Sequence, residues 1–179
     1  MKLSAVCLRV LQPMEEAVLA ELVRHISLLF DTNCLIDHTK LDIASSYSQE
    51  RQQYNSTMIL ARLKATTPSQ MGLALALMTD DLYSLGLNFV FGEAEIAGRV
   101  GIISLARLRP SFGSKKKDSR LLQARACKEA THELGHMLGL RHCTQSRCVM
   151  YLSNTLADTD KKSDRFCPDC TQSLAEAIV

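Results

Sequence analysis

His132-Glu133-Leu134-Gly135-His136-Met137-Leu138-Gly139-Leu140-Arg141-His142 is the stretch from which the rest of the chain can be read. On an α-helix, positions i and i+4 lie about 40° apart around the axis and about 6 Å apart along it. His132 and His136 therefore point the same way and can aim two imidazoles at one zinc ion, as the H-E-x-x-H spacing implies. Glu133 leans over the same edge, within reach of a water on that metal. His142 would stand about 15 Å along a straight helix from His132, too far to share an ion with Zn–N bonds of about 2 Å. The helix must stop, and Gly139 occupies the place where it has to, since glycine enters the left-handed conformation without a Cβ penalty. Three neutral imidazoles leave zinc its full charge and one open position for water, the catalytic pattern. The chain has five histidines, and three of them fall here in register with Glu133 and Gly139. A surface helix that merely carries histidines is a poor account of that.

Working outward, the extended motif H-E-x-x-H-x-x-G-x-x-H followed by a methionine resembles the metzincin clan of zinc peptidases. Cys143, Cys148, Met150 and the run Cys167-Pro168-Asp169-Cys170 narrow the resemblance to the archaemetzincins. Upstream, Asn88-Phe89-Val90-Phe91-Gly92-Glu93-Ala94 and Ser104-Leu105-Ala106-Arg107-Leu108 are similar to segments of that family, so the likeness spans roughly residues 72 to 170. Sixteen residues separate Met150 from Cys167, one fewer than the family pattern, in a polar loop where length changes are tolerated. The resemblance implies an α+β, metzincin-like (zincin) fold: a twisted mixed sheet of four to five strands packed with helices, a long active-site helix and a small zinc-stapled C-terminal part. It also implies that Met150 forms an apolar floor under the metal, although an ordinary core methionine would look the same. A tyrosine near this turn stabilises the oxyanion in some metzincins, but Tyr151 stands at a different offset.

Cys143, Cys148, Cys167 and Cys170 form two close pairs, C-x4-C and C-x2-C, separated by a loop. That spacing suits one tetrahedral zinc in a closed four-thiolate site, with disulfides or free thiols as the alternatives. Such a clamp would tie together the chain leaving His142, the Met150 turn and the last helix, where a tail of about 40 residues could not supply a sufficient core. The site residues expected are thus Glu133 as catalytic base, His132, His136 and His142 on a catalytic zinc, the four cysteines on a structural zinc, and Gly139 and Met150 in support: two Zn2+ per chain.

Length, 179 residues, fits a single domain, with 1–140 as a sheet-and-helix part that includes the active-site helix and 141–179 as the C-terminal part. Net charge is +2, which argues against an acidic or basic tail driving function. Apolar runs such as Gly72 to Leu77 are far shorter than the ~20 residues of a membrane span. The N-terminal apolar run is interrupted by Arg9 and reads as a strand rather than a signal peptide. The expectation is a cytoplasmic monomer acting on peptide or protein, without membrane or nucleic-acid partners. Seven cysteines in such a chain point to metal rather than disulfides, with Cys7, Cys34 and Cys127 as buried thiols.

Periodicity gives strands at 3–10, 33–36, 72–79 and 88–98 (with Gly92 breaking the last), and a continuous, central apolar strand at 100–108. It gives helices after Pro13, with Val18, Leu19, Leu22, Ile26 and Leu29 as its stripe, and over 45–64, with Tyr54, Met58, Ile59 and Leu63 inward. Asp118 or Ser119 caps the active-site helix, whose Leu122, Ala126, Ala130, Leu134 and Leu138 form the packed face. His25 reads as a satisfied surface histidine, and His38 lies in a polar connector. Lys115-Lys116-Lys117 reads as a solvated face. The reaction implied is peptide-bond hydrolysis, with the substrate added as a strand along 88–98. A metal-dependent RNase is a second class, but one such bacterial family has glycine where Glu133 stands. A catalytically silent zinc module is the third.

Overall fold

The five strands of the main sheet divide by composition before they divide by position. β1 (Val6–Val10), β2 (Cys34–Asp37), β5 (Leu73–Met78) and β8 (Val100–Ser104) run parallel, and β7 (Gly92–Ala94) closes one edge antiparallel to β8, in the order β2-β1-β5-β8-β7. A parallel sheet is covered on both faces, which favours apolar runs in its inner strands. β5 shows this: Leu75 and Leu77 enter the core beneath α1 (Glu16–Phe30) and α3 (Ser119–Met137), whereas Ala74, Ala76 and Met78 enter the core beneath α2 (Ser56–Thr66). This computed structural model describes residues 5–110 and 119–177.

α1 buries Val18, Leu22, Ile26 and Phe30, one residue per turn, against the same core as Leu122, Ala126, Ala130 and Leu134 of α3. The two expected apolar faces are therefore the ones that meet. His25 is satisfied, as expected, but half-buried rather than on the open surface. It is wedged between these helices, its Nε2 3.0 Å from Thr131 Oγ1, while His38 is exposed. The remaining elements are β3 (Tyr47–Ser48), β4 (Gln53–Asn55), β6 (Leu82–Tyr83), α4 (Leu156–Lys161) and α5 (Pro168–Ala177). A third apolar cluster, holding Leu140, Val149, Met150, Leu174 and three of the four C-terminal cysteines, forms the centre of the C-terminal part. Among the described residues no helix is long and apolar enough to cross a membrane.

Three expectations about elements need correction. The helix expected over 45–64 begins only at Ser56, where the Asn55 side chain accepts from Met58 N at 2.9 Å. Before it lies a hairpin of β3 and β4 with Gln52 at φ 54, and β4 pairs with β6 in a second, three-stranded sheet, β3-β4-β6. Tyr54 accordingly sits on a strand, its ring tilted against that of Tyr47, and Met58 faces outward. The strand expected over 100–108 ends at Ser104, whose hydroxyl donates to Asp80 O and accepts from Ala106 N, turning the chain. Leu105, whose N still donates to Met78 O at 2.9 Å, and Leu108 stay buried in the following turn, and burial without a continuing ladder looks like a strand in sequence. That strand is also one place from the edge, with β5 at the centre. Of 88–98, only Gly92–Ala94 joins the main sheet. Val90 bridges to Leu82 instead, and Ala97 turns the chain at φ 52. Asp118 and the lysine run lie outside the described residues, and Ser119 is already helical.

Candidate metal centres and active-site cleft

The end of α3 is where local chemistry becomes a site. Gly139 has φ +96, Leu140 N donates to Gly135 O and Gly139 N to His136 O, both at 2.9 Å. This pair of bonds is the Schellman termination, with glycine in the left-handed position. The chain reverses there and brings His142 back. Substituting alanine would place a Cβ in a left-handed backbone at about 1–2 kcal/mol. Gly139→Ala is expected to lower the unfolding midpoint and the affinity of the three-histidine site together, read by denaturant titration and competition with a zinc chelator.

His132 Nε2 lies 3.1 Å from His136 Nε2, which lies 3.3 Å from His142 Nε2. Ligands about 2.0–2.1 Å from one tetrahedral zinc are about 3.3–3.4 Å apart, so the nitrogens already have the spacing of a coordination edge. Their protonation follows from their other contacts. His132 Nδ1 is 2.8 Å from Val149 O, and His136 Nδ1 is 2.8 Å from Leu140 O. A carbonyl only accepts, so each Nδ1 carries the proton and each Nε2 presents a lone pair inward. Burial, with the positive charge of Lys162 adding to it, holds all three imidazoles below their ordinary pKa. That favours the neutral, metal-binding form.

Glu133 is 4% exposed, and among the described residues its Oε2 has no hydrogen-bond partner. Burial drives its carboxyl well above the usual range. The negative charges of Glu129 and Glu93 add to this, and Lys162 opposes it. Lys162 is itself fully buried, with Nζ 3.0 Å from Glu129 Oε1. The carboxylate of Glu133 fits because β7 has no side chain at Gly92: a Cβ there would lie 2.6 Å from Glu133 Oε1 and 2.7 Å from Ile102 O. Real Cβ contacts are not that close, so both the Glu133 carboxylate and the backbone between β7 and β8 would have to shift. Gly92→Ala is expected to cut turnover at least tenfold while zinc content holds, because it displaces the carboxylate and leaves the imidazoles alone. Activity near that of the unmodified chain would show that the strand gives way instead.

Met150 is fully buried beneath α3 at Gly135, between the two helical histidines. A Cβ on Gly135 would meet the Met150 thioether and lie 3.1 Å from Phe166 Cε1. The turn that carries Met150 also supplies the Val149 carbonyl to His132, and Cys143 N donates to Met150 O at 2.9 Å. Tyr151 pairs with Cys143 in an isolated bridge and does not line the cleft.

The four cysteines form the second cluster. Cys143 Sγ is 3.9 Å from Cys167 Sγ, and Cys148 Sγ is 3.7 Å from Cys170 Sγ. A disulfide would need about 2.05 Å, whereas sulfurs about 2.3 Å from one tetrahedral zinc lie about 3.8 Å apart. Backbone N–H groups of Gln145 and Cys167 point at Cys143 Sγ and Cys148 Sγ, both at 3.4 Å, the contacts that suit thiolates. Cys7 and Cys127 are buried thiols as expected, while Cys34 is half-buried.

The histidines open into a cleft of about 580 Å3, walled on one side by residues 87–94 and on the other by Leu152, Ser153 and Asn154. Gly92, Gly135 and the carbonyls of Val149 and Leu140 are the parts of the site that sequence reasoning did not single out. Both glycines stand in stretches quoted for other reasons, but a carbonyl has no residue signature at all.

Comparison with known proteins shows what the chain is similar to. The family model described as Peptidase family M54 matches residues 42–176. The archaemetzincin of Methanocaldococcus jannaschii is 46% identical over 138 residues, covering 76% of this chain and 75% of its own. Among solved structures, the archaemetzincin of Methanopyrus kandleri superposes with a TM-score of 0.86 at 33% identity, over 98% of this chain and 95% of its own. That of Archaeoglobus fulgidus, solved with malonate, gives 0.80 at 34%, over 94% and 98%. With three imidazole nitrogens at coordination spacing, a buried carboxylate beside them and matches along most of its length, the chain is a zinc metallopeptidase and belongs to peptidase family M54.

Proposed function

We propose that the cleft hydrolyses peptide bonds with Glu133 as general base, on a zinc ion held by His132, His136 and His142, and that a second, structural zinc is held by Cys143, Cys148, Cys167 and Cys170. The observation that carries the reading is the triangle of Nε2 lone pairs next to a buried carboxylate oxygen that has no other partner. Zinc in such a site supplies Lewis acidity, bringing the pKa of water toward neutrality and polarising a carbonyl. Glu133 takes the proton of the attacking water on its carboxylate and passes it to the amine nitrogen as the C–N bond breaks. Val149 O and Leu140 O keep the two helical imidazoles in the tautomer that faces the ion.

The substrate is an extended peptide laid along β7, and the ladder register supports this. Ser104 N donates to Phe91 O and Glu95 N to Val100 O, so Phe91, Glu93 and Glu95 face β8. Antiparallel pairing alternates, which turns the N–H and C=O of Gly92 and Ala94 outward along the cleft. A strand added there forms main-chain bonds regardless of side chains. The test is a diverse peptide-library digest by the zinc-loaded protein, with RNA run in parallel and metal counted per chain. Peptide cleavage with two zinc ions supports the reading. RNA cleavage alone would make the site a nuclease, and neither activity in a fully loaded protein would make it a silent zinc module.

A further inference from the structure

We infer that Glu93 is a positioning residue for substrate: it fastens the edge strand β7 to the N-terminus of α2, so that the outward backbone groups of Gly92 and Ala94 stand at a fixed height above Glu133. The inference rests on the strand-pairing reading above and goes further, because it names what holds that strand in place.

β7 has three residues and one neighbour, so its ladder with β8 is short. Edge segments of this kind fray unless something else ties them down. Side chains alternate across a strand. Gly92 faces Glu133 on the α3 side, and Glu93 therefore faces α2. There its carboxylate accepts from both hydroxyls of the first α2 turn, Ser56 Oγ through Oε2 and Thr57 Oγ1 through Oε1 at 2.9 Å. Ser56 is fully buried, and its Oγ is also 2.9 Å from Tyr83 O, while Thr57 Oγ1 is 3.3 Å from Ser84 Oγ. Ser84 lines the cleft. The carboxylate thus joins the helix to the edge strand, and Thr57 Oγ1, which can accept from Ser84 Oγ while it donates to Glu93, extends the link to the cleft wall.

The chemistry suits an anchor. A carboxylate only accepts, hydroxyls donate to it more strongly than to a neutral group, and a helix N-terminus favours negative charge within its first turn. No atom of Glu93 is needed for bond breaking. The anchor acts only on substrates that use β7, whereas the charge of Glu93 on Glu133 bears on long and short peptides alike and cancels in their ratio.

The test compares two peptides with the same residues at the scissile bond, one extended by several residues on each side, the other truncated to the residues flanking the bond. The zinc-loaded full chain carries Glu93→Ala, Glu93→Gln or Thr57→Val, the last removing one donor and leaving Ser56 and Glu93 in place. The ratio of kcat/KM, long over short, is expected to fall about tenfold in Glu93→Ala, the equivalent of one charge-assisted hydrogen bond. The loss should appear in KM for the long peptide. Glu93→Gln, whose amide oxygen still accepts, recovers part of the ratio, and Thr57→Val falls between. An unchanged ratio in variants that keep two zinc ions overturns the inference, and so does an equal loss on both peptides, which would mark a general structural role. If the unmodified chain cleaves both lengths with equal kcat/KM, strand pairing fails and the inference fails with it. If it cleaves neither, hydrolysis itself is the failed step.

Discussion

Glu133→Gln is expected to lower kcat by about 10²- to 10⁴-fold, the usual share of general acid–base catalysis, with both zinc ions retained. Glutamine has nearly the same shape, so it fills the space opposite Gly92 that the carboxylate fills now. What it loses is a proton acceptor. The three imidazoles do not depend on Glu133: two are set by the Val149 and Leu140 carbonyls, and the third by the reversal at Gly139. Metal content and turnover should therefore separate cleanly. The measurement is kcat on the best library peptide alongside a metal count on the same preparation. Turnover within tenfold of the unmodified chain would remove Glu133 from the mechanism. Lost activity with lost metal would instead mean that Glu133 helps hold the ion.

Cys170→Ser is the second large effect, and it acts through folding. The C-terminal part has a small apolar cluster, and Cys148, Cys167 and Cys170 are themselves members of it. A structural four-thiolate zinc site contributes about 10–16 kcal/mol of binding free energy that is simultaneously folding free energy, more than so small a core can replace. Loss of one ligand is expected to drop the zinc count from two to one or fewer and to open residues 141–177 to limited proteolysis. Peptidase activity should fall with them, because Cys143 follows His142 directly and because Val149 and Met150 lie within the same clamp. Two zinc ions and an unchanged digestion pattern in this variant would show that the thiols are not a metal site. A strong chelator applied to the unmodified chain should give the same proteolytic pattern.

Much of this protein could be read from residue spacing alone. The histidine pair, the helix stop at Gly139 and the two cysteine pairs are short-range patterns, and the geometry of a helix turn converts such spacing directly into distance. The same holds for α1, whose stripe of one apolar residue per turn is the stripe it buries, and for β5, whose unbroken apolar run marks a strand covered on both faces.

The tertiary structure decided what depends on a partner distant in sequence. Ser45 to Lys64 carries a helix-like period, yet its first half pairs as β3 and β4, because Tyr54 and Asn55 find Leu82 and Tyr83 opposite them. Ser104 ends β8 because Asp80 O is there to accept its hydroxyl hydrogen bond, although the apolar run continues to Leu108. His25 is half-buried because Thr131 of another helix meets it. Gly92 and Gly135 are required by Glu133 and Met150, residues that lie 41 and 15 positions away, and the helical histidines are aimed by carbonyls that any amino acid could supply. Local spacing fixes which ligands can converge, since it acts within a few turns of backbone. Which strand forms the edge of the cleft, and which backbone atoms orient the ligands, emerges only when segments far apart in the chain are packed against one another.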